Sequence, residues 1–345
     1  MSKNQKHVPR IGITLGDING IGPEVIIKAL SDNRIMNNMT PVIYGSTKTL
    51  SYYRKNYHQD EFNYMQVKQK GETIVQKVNV VNCWNEVLEI KAGEVTEQGA
   101  IASRLALQKA VIDLKEGHID ALVTGPINKH NIQSDDFNFP GHTEYLTDAF
   151  NSPDSLMLLV SDDLRIGVVT SHIALKDVAN KITSKKIVNK LRIMVKSLTL
   201  DFGLQKPKIA VLGLNPHNGD NGLMGNEEAE IISPAIEILR EEGTLVFGPF
   251  PADGFFGGNM QKGYDGVLAM YHDQGLVPFK TLAFDTGVNY TAGLPIIRTS
   301  PDHGTAYSIA GKNEASETSM RQAIFLAYDI WRNRRKALIG IDDNT

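Results

Sequence analysis

Three histidines stand just past three apolar, strand-like runs: His172 after Arg165–Thr170, His217 after Lys208–Leu214, and His272 directly after Val267–Tyr271. Where strands alternate with helices, ligands collect beyond the carboxyl ends of the strands. Three imidazoles delivered to that edge could converge on one divalent cation. Imidazole suits zinc, cobalt and related metals, and three protein ligands leave positions open for substrate oxygens. The alternative is that each histidine merely closes its own loop. Lys280 follows within an apolar setting of Val277, Pro278, Phe279 and Leu282. An ammonium beside a cation has its charged form disfavoured, which suits it to acid–base work. Lys280 and Arg298 are expected to flank a polar loop containing Asn289, with the arginine offering a planar fork to phosphate or carboxylate. Solvated surface charges are the plainer reading of both.

Two further loops could contact a ligand. Pro140-Gly141-His142-Thr143-Glu144 leads into an apolar helix, where Thr143 and the backbone donors could hold an anion or Thr143 could simply be an N-cap. Pro301-Asp302-His303-Gly304-Thr305-Ala306 precedes a helix-like stretch and is compatible with a nucleotide. Gly16, Gly20 and Gly22 do not match G-x-G-x-x-G, and no P-loop is present, so a dinucleotide would not be held by a standard Rossmann fingerprint.

The elements that must position these residues alternate along the chain. Strands are expected at 11–15, 41–44, 78–81, 121–124, 165–170, 208–214 and 267–271, with helices near 23–30, 96–115, 185–198, 227–240 and 319–331. Pro23 suits a first helical turn, and Ser233-Pro234 marks a break or fresh start in the fourth helix. That order predicts α/β architecture with largely parallel sheets. The polar segment from about 51 to 77 has no assignable element. At 345 residues two domains are the default. A net charge of −3 supplies no electrostatic reason to expect nucleic acid or an anionic membrane as partner. The single cysteine, Cys83, rules out an intrachain disulfide or a cysteine metal cluster. The opening MSKNQKHVPR lacks the apolar core of a signal peptide, and no apolar run approaches a membrane span, so a reduced, cytoplasmic setting is expected.

Taken in order, GDINGIGPEV (16–25), TGPINK (124–129), PGHTEYL (140–146), TSHIAL (170–175), GLNPHNGD (213–220), GPFPAD (248–253), YHDQGLVPFK (271–280) and SPDHGTAYSIAG (300–311) resemble the 4-hydroxythreonine-4-phosphate dehydrogenases of vitamin B6 biosynthesis nearly end to end. The resemblance implies two α/β/α domains with a cleft, similar to the isocitrate and isopropylmalate dehydrogenase fold. The expected division is 1–132 plus 290–345, associated with the dinucleotide, and 133–289, carrying metal, substrate and dimerisation. It implies a homodimer in which His172, His217 and His272 hold one divalent metal (zinc, magnesium or cobalt) shared between subunits. It implies substrate contacts at His142, Thr143, Lys280, Asn289 and Arg298, and NAD or NADP near His303, Gly304, Thr305, Ala306 and Gly311. The implied reaction is NAD(P)-dependent oxidation of 4-phosphooxy-L-threonine followed by loss of CO2, with Lys280 a candidate acid–base. A related dehydrogenase of phosphorylated threonate or erythronate, or of a cyclic dihydrodiol, is the alternative. Ile18-Asn19 depart from the Pro-Ala more usual in the first loop, and Ser308 stands where relatives often carry an acid, which leaves the coenzyme preference open.

Overall fold

The computed structural model describes residues 7–68, 71–135 and 137–340. It comprises two compact units, 1–151 with 296–332 and 152–295 with 333–345.

The first unit holds β1 (Arg10–Thr14), β2 (Thr40–Gly45), β3 (Met65–Gln66), β4 (Asn79–Asn82) and β5 (Ala121–Thr124), and later β12 (Arg298–Pro301). These lie in the order β3-β4-β2-β1-β5-β12, and every pair is parallel. The central strands β1, β2 and β5 are buried almost throughout, as an all-parallel sheet covered on both faces requires. Its helices are α1 (Gly22–Leu30), α2 (Thr47–Asn56), α3 (Glu97–Lys115), α4 (His142–Ala149) and the residues of α10 (Thr318–Ile339) up to Arg332. Local sequence explains their starts. Pro23 sits in the first turn of α1, where its missing N–H costs nothing. The Thr96 hydroxyl caps α3 by accepting the Gly99 N–H.

The second unit holds β6 (Leu156–Ser161), β7 (Leu164–Thr170), β8 (Lys208–Leu212), β9 (Leu245–Phe250), β10 (Gly266–Tyr271) and β11 (Val288–Ala292). Their order is β11-β6-β7-β10-β8-β9. β6 is antiparallel to both its neighbours, and β7, β10, β8 and β9 run parallel. The helices are α5 (Val178–Lys181), α6 (Ser184–Leu200), α7 (Ser233–Glu241), α8 (Ala252–Gly257) and α9 (His272–Ala283). Leu159, Ile166, Val168, Ala210, Leu212, Val267 and Ala269 meet Phe255, Leu276 and Phe279 in one buried cluster, so α8 and α9 are pinned onto the strands that end at the histidines.

The expected α/β alternation is present, and Ser233-Pro234 does mark a fresh start, a short π-helix (Glu228–Ile232) giving way there to α7. Several details differ. The segment 51–77 carries the rest of α2 and then β3; its residues 69 and 70 lie outside the described ones. Its helical part was illegible because only Thr49, Leu50 and Tyr53 of α2 are buried, too narrow a stripe to stand out from polar neighbours. Strand β8 stops at Leu212, not Leu214. The stretch after His303 is a run of turns rather than a helix, and α10 begins only at Thr318.

Candidate active site

The edge beyond β7, β10 and β8 is built by register. Thr170 stands opposite Tyr271 across the parallel β7–β10 pair, and the Thr170 hydroxyl donates to the Met270 carbonyl at 2.8 Å. His272 follows Tyr271 at once and His172 follows Thr170 by two residues, so the two imidazoles emerge side by side. Their ring centroids are 5.7 Å apart. His272 opens helix α9 rather than a loop, and its Nδ1 lies 2.6 Å from Asp273 Oδ1. A carboxylate on one ring nitrogen orients the imidazole and leaves the other nitrogen for a ligand. Gln274 explains the carboxamide at this strand end. Its Oε1 accepts the Met270 N–H at 2.6 Å and its Nε2 donates to the Gly213 carbonyl at 2.6 Å, sewing the end of β8 to β10.

His217 is delivered differently. Residues 217–221 all have positive φ, with values of 52, 54, 79, 43 and 55°, and Gly222 follows at 91°. A left-handed turn costs a residue with a Cβ about 1–2 kcal/mol, least for Asn, Asp and His. The sequence His-Asn-Gly-Asp-Asn-Gly contains only such residues and glycine. The buried Glu228 anchors the turn's entry, its Oε1 accepting the Leu214 and Asn215 N–H groups at 2.7 Å each. His172 and His217 are exposed. Among the described residues no three His, Cys, Asp or Glu side chains gather in metal-binding geometry: one chain pairs His172 with His272 and does not bring His217 into one group with them.

The first unit contributes a cationic cluster. Arg298, on β12, is buried, and its Nε and an Nη donate to Thr124 Oγ1 at the end of β5, at 3.1 and 2.6 Å. Burial pushes the Arg298 guanidinium down to about 10, with Glu144 pulling the other way. His142 is the first residue of α4, and its Nε2 is buried without a hydrogen-bond partner. Burial, then the charges of Arg298 and Lys129, hold its imidazole well below the usual histidine range, so it is neutral at pH 7. Gly141 caps α4 and Thr143 lies one residue inside it, so Thr143 is not the N-cap. The stem of Lys129 runs beside Gly141, whose absent Cβ would meet Cε at 3.5 Å. A buried arginine, a second cation and a depressed histidine around an orphaned nitrogen make a place where an oxyanion relieves every member. Lys129 was not singled out from sequence, although Thr124 ends a strand five residues before it, and that strand end was the available signal.

Asn289 is not in a loop. It lies within β11, paired with Leu159 of β6, and its Oδ1 is buried with no hydrogen-bond partner. Lys280 lies in the last turn of α9. The expected apolar sleeve around it is only half present: Phe279 is buried, whereas Val277 and Leu282 are 61% and 53% exposed, because they sit on the outer face of that helix.

The segment His303–Gly311 is packed onto the first glycine loop. The Ile21 N–H donates to the Thr305 carbonyl at 2.9 Å, and Tyr307 Oη donates to Asp17 Oδ2 at 2.6 Å. Burial raises the Asp17 carboxyl, and the bonds from Tyr307 and the Asn19 N–H offset part of that rise. Asn19 is fully buried; its side chain donates to Thr96 Oγ1 and accepts the Lys91 N–H, each at 2.8 Å. Ile18-Asn19 thus serve this chain as a staple to the loop before α3. Ala306 and Gly311 have φ of 43 and 81°, and a side chain at Gly304 would point into open space, so the segment is open at Gly304.

The family profile "PdxA: Pyridoxal phosphate biosynthetic protein PdxA" matches residues 37–327. The chain belongs to the PdxA family. Among its relatives, the 4-hydroxythreonine-4-phosphate dehydrogenase of Bacteroides thetaiotaomicron is 50% identical over 328 residues, covering 95% of this chain and 90% of the relative. A protein of Oceanobacillus iheyensis, provisionally named a D-threonate 4-phosphate dehydrogenase, is 39% identical over 327 residues, covering 93% of this chain and 98% of that relative. A crystal structure of the Klebsiella pneumoniae 4-hydroxythreonine-4-phosphate dehydrogenase matches this PdxA-family chain with a TM-score of 0.80 and 35% identity, covering 95% and 99% of the two chains.

Proposed function

We propose that this PdxA-family protein oxidises 4-phosphooxy-L-threonine with NAD or NADP in pyridoxine 5'-phosphate biosynthesis, as a metal-dependent, cytoplasmic homodimer. Family membership across residues 37–327 carries the reading. The residues fit it. The Arg298, Lys129 and His142 cluster suits the phosphate, and Asn289 offers an unsatisfied amide oxygen to an ammonium or hydroxyl. His172 and His272, 5.7 Å apart between rings, fit two positions on one divalent cation, with His217 supplied by a second copy. The open position at Gly304 in the segment 303–311 suits the dinucleotide.

When bound, the divalent ion supplies charge stabilisation where negative charge develops on the substrate's reacting oxygen. Lys280 Nζ is assigned the proton. It takes the proton of the secondary hydroxyl as the hydride leaves that carbon for the nicotinamide. The product, 2-amino-3-oxo-4-phosphooxybutanoate, carries its carboxylate β to a ketone. Release of CO2 leaves the C–C bonding pair on the α-carbon, and Lys280 returns its proton there to yield 3-amino-2-oxopropyl phosphate. His142, held neutral, and the buried Arg298 fix the phosphate end of the substrate.

The test strips the protein of metal, then adds a divalent ion, NAD or NADP, and 4-phosphooxy-L-threonine, with 4-phospho-threonate and 4-phospho-erythronate alongside. The relative named for D-threonate 4-phosphate makes those controls necessary. Metal-dependent formation of reduced coenzyme from the amino acid, lost in His217→Ala, is expected. Turnover of a sugar acid alone would move the substrate, and no reduced coenzyme from any of them would overturn the reading.

A further inference from the structure

We propose that Glu228 is a positioning residue for His217: its buried carboxylate anchors the entry, Leu214-Asn215, to the left-handed turn 217–222 so that the imidazole is presented in one orientation to a divalent cation. This rests on the reading of His217 as a metal ligand. Glu228 lies on the π-helical turn Glu228–Ile232 ahead of α7, not on the turn it holds. A carboxylate this buried (5% exposed) demands donors, and the donors come from the segment leading to His217. Oε1 takes the N–H groups of Leu214 and Asn215 at 2.7 Å each, and Oε2 takes Asn215 Nδ2 at 3.0 Å. Asn215 Nδ2 also reaches Glu227 Oε2 at 2.7 Å.

The carboxylate is also a wall. A Cβ on Gly219, inside the turn, would come within 2.5 Å of the Gly225 carbonyl and 2.9 Å of Glu228 Oε2, and one on Gly213 would clash with Asn218 Oδ1 and come within 3.1 Å of Glu228 Oε1. Glu228, with Gly225 and Asn218, therefore lies close against the backbone on both sides of His217. A second strut is Asn218, whose Nδ2 donates to the Pro249 carbonyl at 2.8 Å. Five successive residues in a left-handed conformation are disfavoured for a free chain, so without these struts the segment relaxes to other conformations and His217 is presented in many orientations.

The experiment uses the full-length, metal-stripped protein with Co2+ alone as the probe, read by calorimetric affinity and the visible absorption of bound cobalt. Amide hydrogen exchange over 213–226 is measured without metal. Glu228→Gln keeps the shape but places an NH2 group where an acceptor stands. It is expected to speed exchange across 213–226, weaken Co2+ binding by about 10- to 100-fold, as loss of ligand support does elsewhere, and alter the cobalt spectrum. His217→Ala should weaken Co2+ binding with little change in exchange. If Glu228→Gln does not fold, Asn215→Ala, which removes two bonds and keeps the carboxylate, should show the same changes in smaller degree. Normal Co2+ affinity in Glu228→Gln beside weakened His217→Ala overturns the proposal, even if exchange quickens, because Glu228 is then structural only. Wild-type affinity in His217→Ala brings down the metal reading and this proposal together, while normal affinity in the Glu228 variant alone leaves the metal reading standing.

Discussion

Lowering the pH from 7.5 to 5.5 probes the half-buried imidazole of His142, whose Nε2 is shut off from solvent. In the fold its proton is opposed by burial and then by Arg298 and Lys129; Glu144, in the first turn of α4, is the acidic neighbour. In the unfolded chain the same ring titrates near 6.5. The folded value is the lower one, so the unfolded state binds the extra proton as pH falls through about 6.5, and stability present above that pH is lost below it. Protonation of the ring in the unfolded state is worth RT ln(11/1.1), or about 1.4 kcal/mol, between pH 7.5 and 5.5, which is the ceiling on the loss. Urea unfolding of wild type and His142→Gln at several pH values isolates this share from the other carboxylates and histidines. The stability difference between the two proteins should shift in favour of the variant as pH falls across that window, by no more than about 1.4 kcal/mol. Inorganic phosphate should act oppositely, since an anion beside the ring favours the imidazolium. Its binding near pH 6 should take up protons, seen as a dependence of binding heat on buffer ionisation. Parallel stability profiles for wild type and His142→Gln would refute the assignment of a neutral His142.

Three other outcomes follow from contacts in the two units. Asp201, buried, takes hydrogen bonds from Ser197 Oγ, Tyr290 Oη and Arg334 Nε at 2.7, 2.5 and 2.6 Å; Asp201→Asn should cost about 3 kcal/mol in urea unfolding, and a loss under about 0.5 kcal/mol would show the network is not needed. Tyr307→Phe removes the 2.6 Å bond that lowers the buried Asp17 carboxyl, and should cost about 1–3 kcal/mol and weaken NAD(P) affinity, measured by calorimetry, more than kcat. Gly99→Ala would put a Cβ 2.5 Å from Asp17 Oδ1, so it should destabilise by about 1–3 kcal/mol despite the higher helix propensity of alanine, and a stabilised variant would contradict that packing.

The alternation of strand and helix was readable along the chain because the buried strands are unbroken apolar runs bounded by Gly and Pro, as at 121–126 and 40–45. So was the placing of His172 and His272, since each stands at a strand end whose apolar run stops abruptly. The left-handed turn was latent in His-Asn-Gly-Asp-Asn-Gly, whose residues tolerate positive φ without requiring it. Tertiary structure alone decided the rest. Strand register across β7 and β10 makes neighbours of two histidines a hundred residues apart, and nothing local encodes register. Asn289 passed for a loop residue because a lone polar position in a short strand carries the same local signal as a turn. Arg298 looked like a surface charge; only the fold buries it near His142, because burial, which depends on every neighbour at once, changes what a charge costs. Glu228 likewise reads as one of a solvated acidic pair until the fold hands it the amides of Leu214 and Asn215.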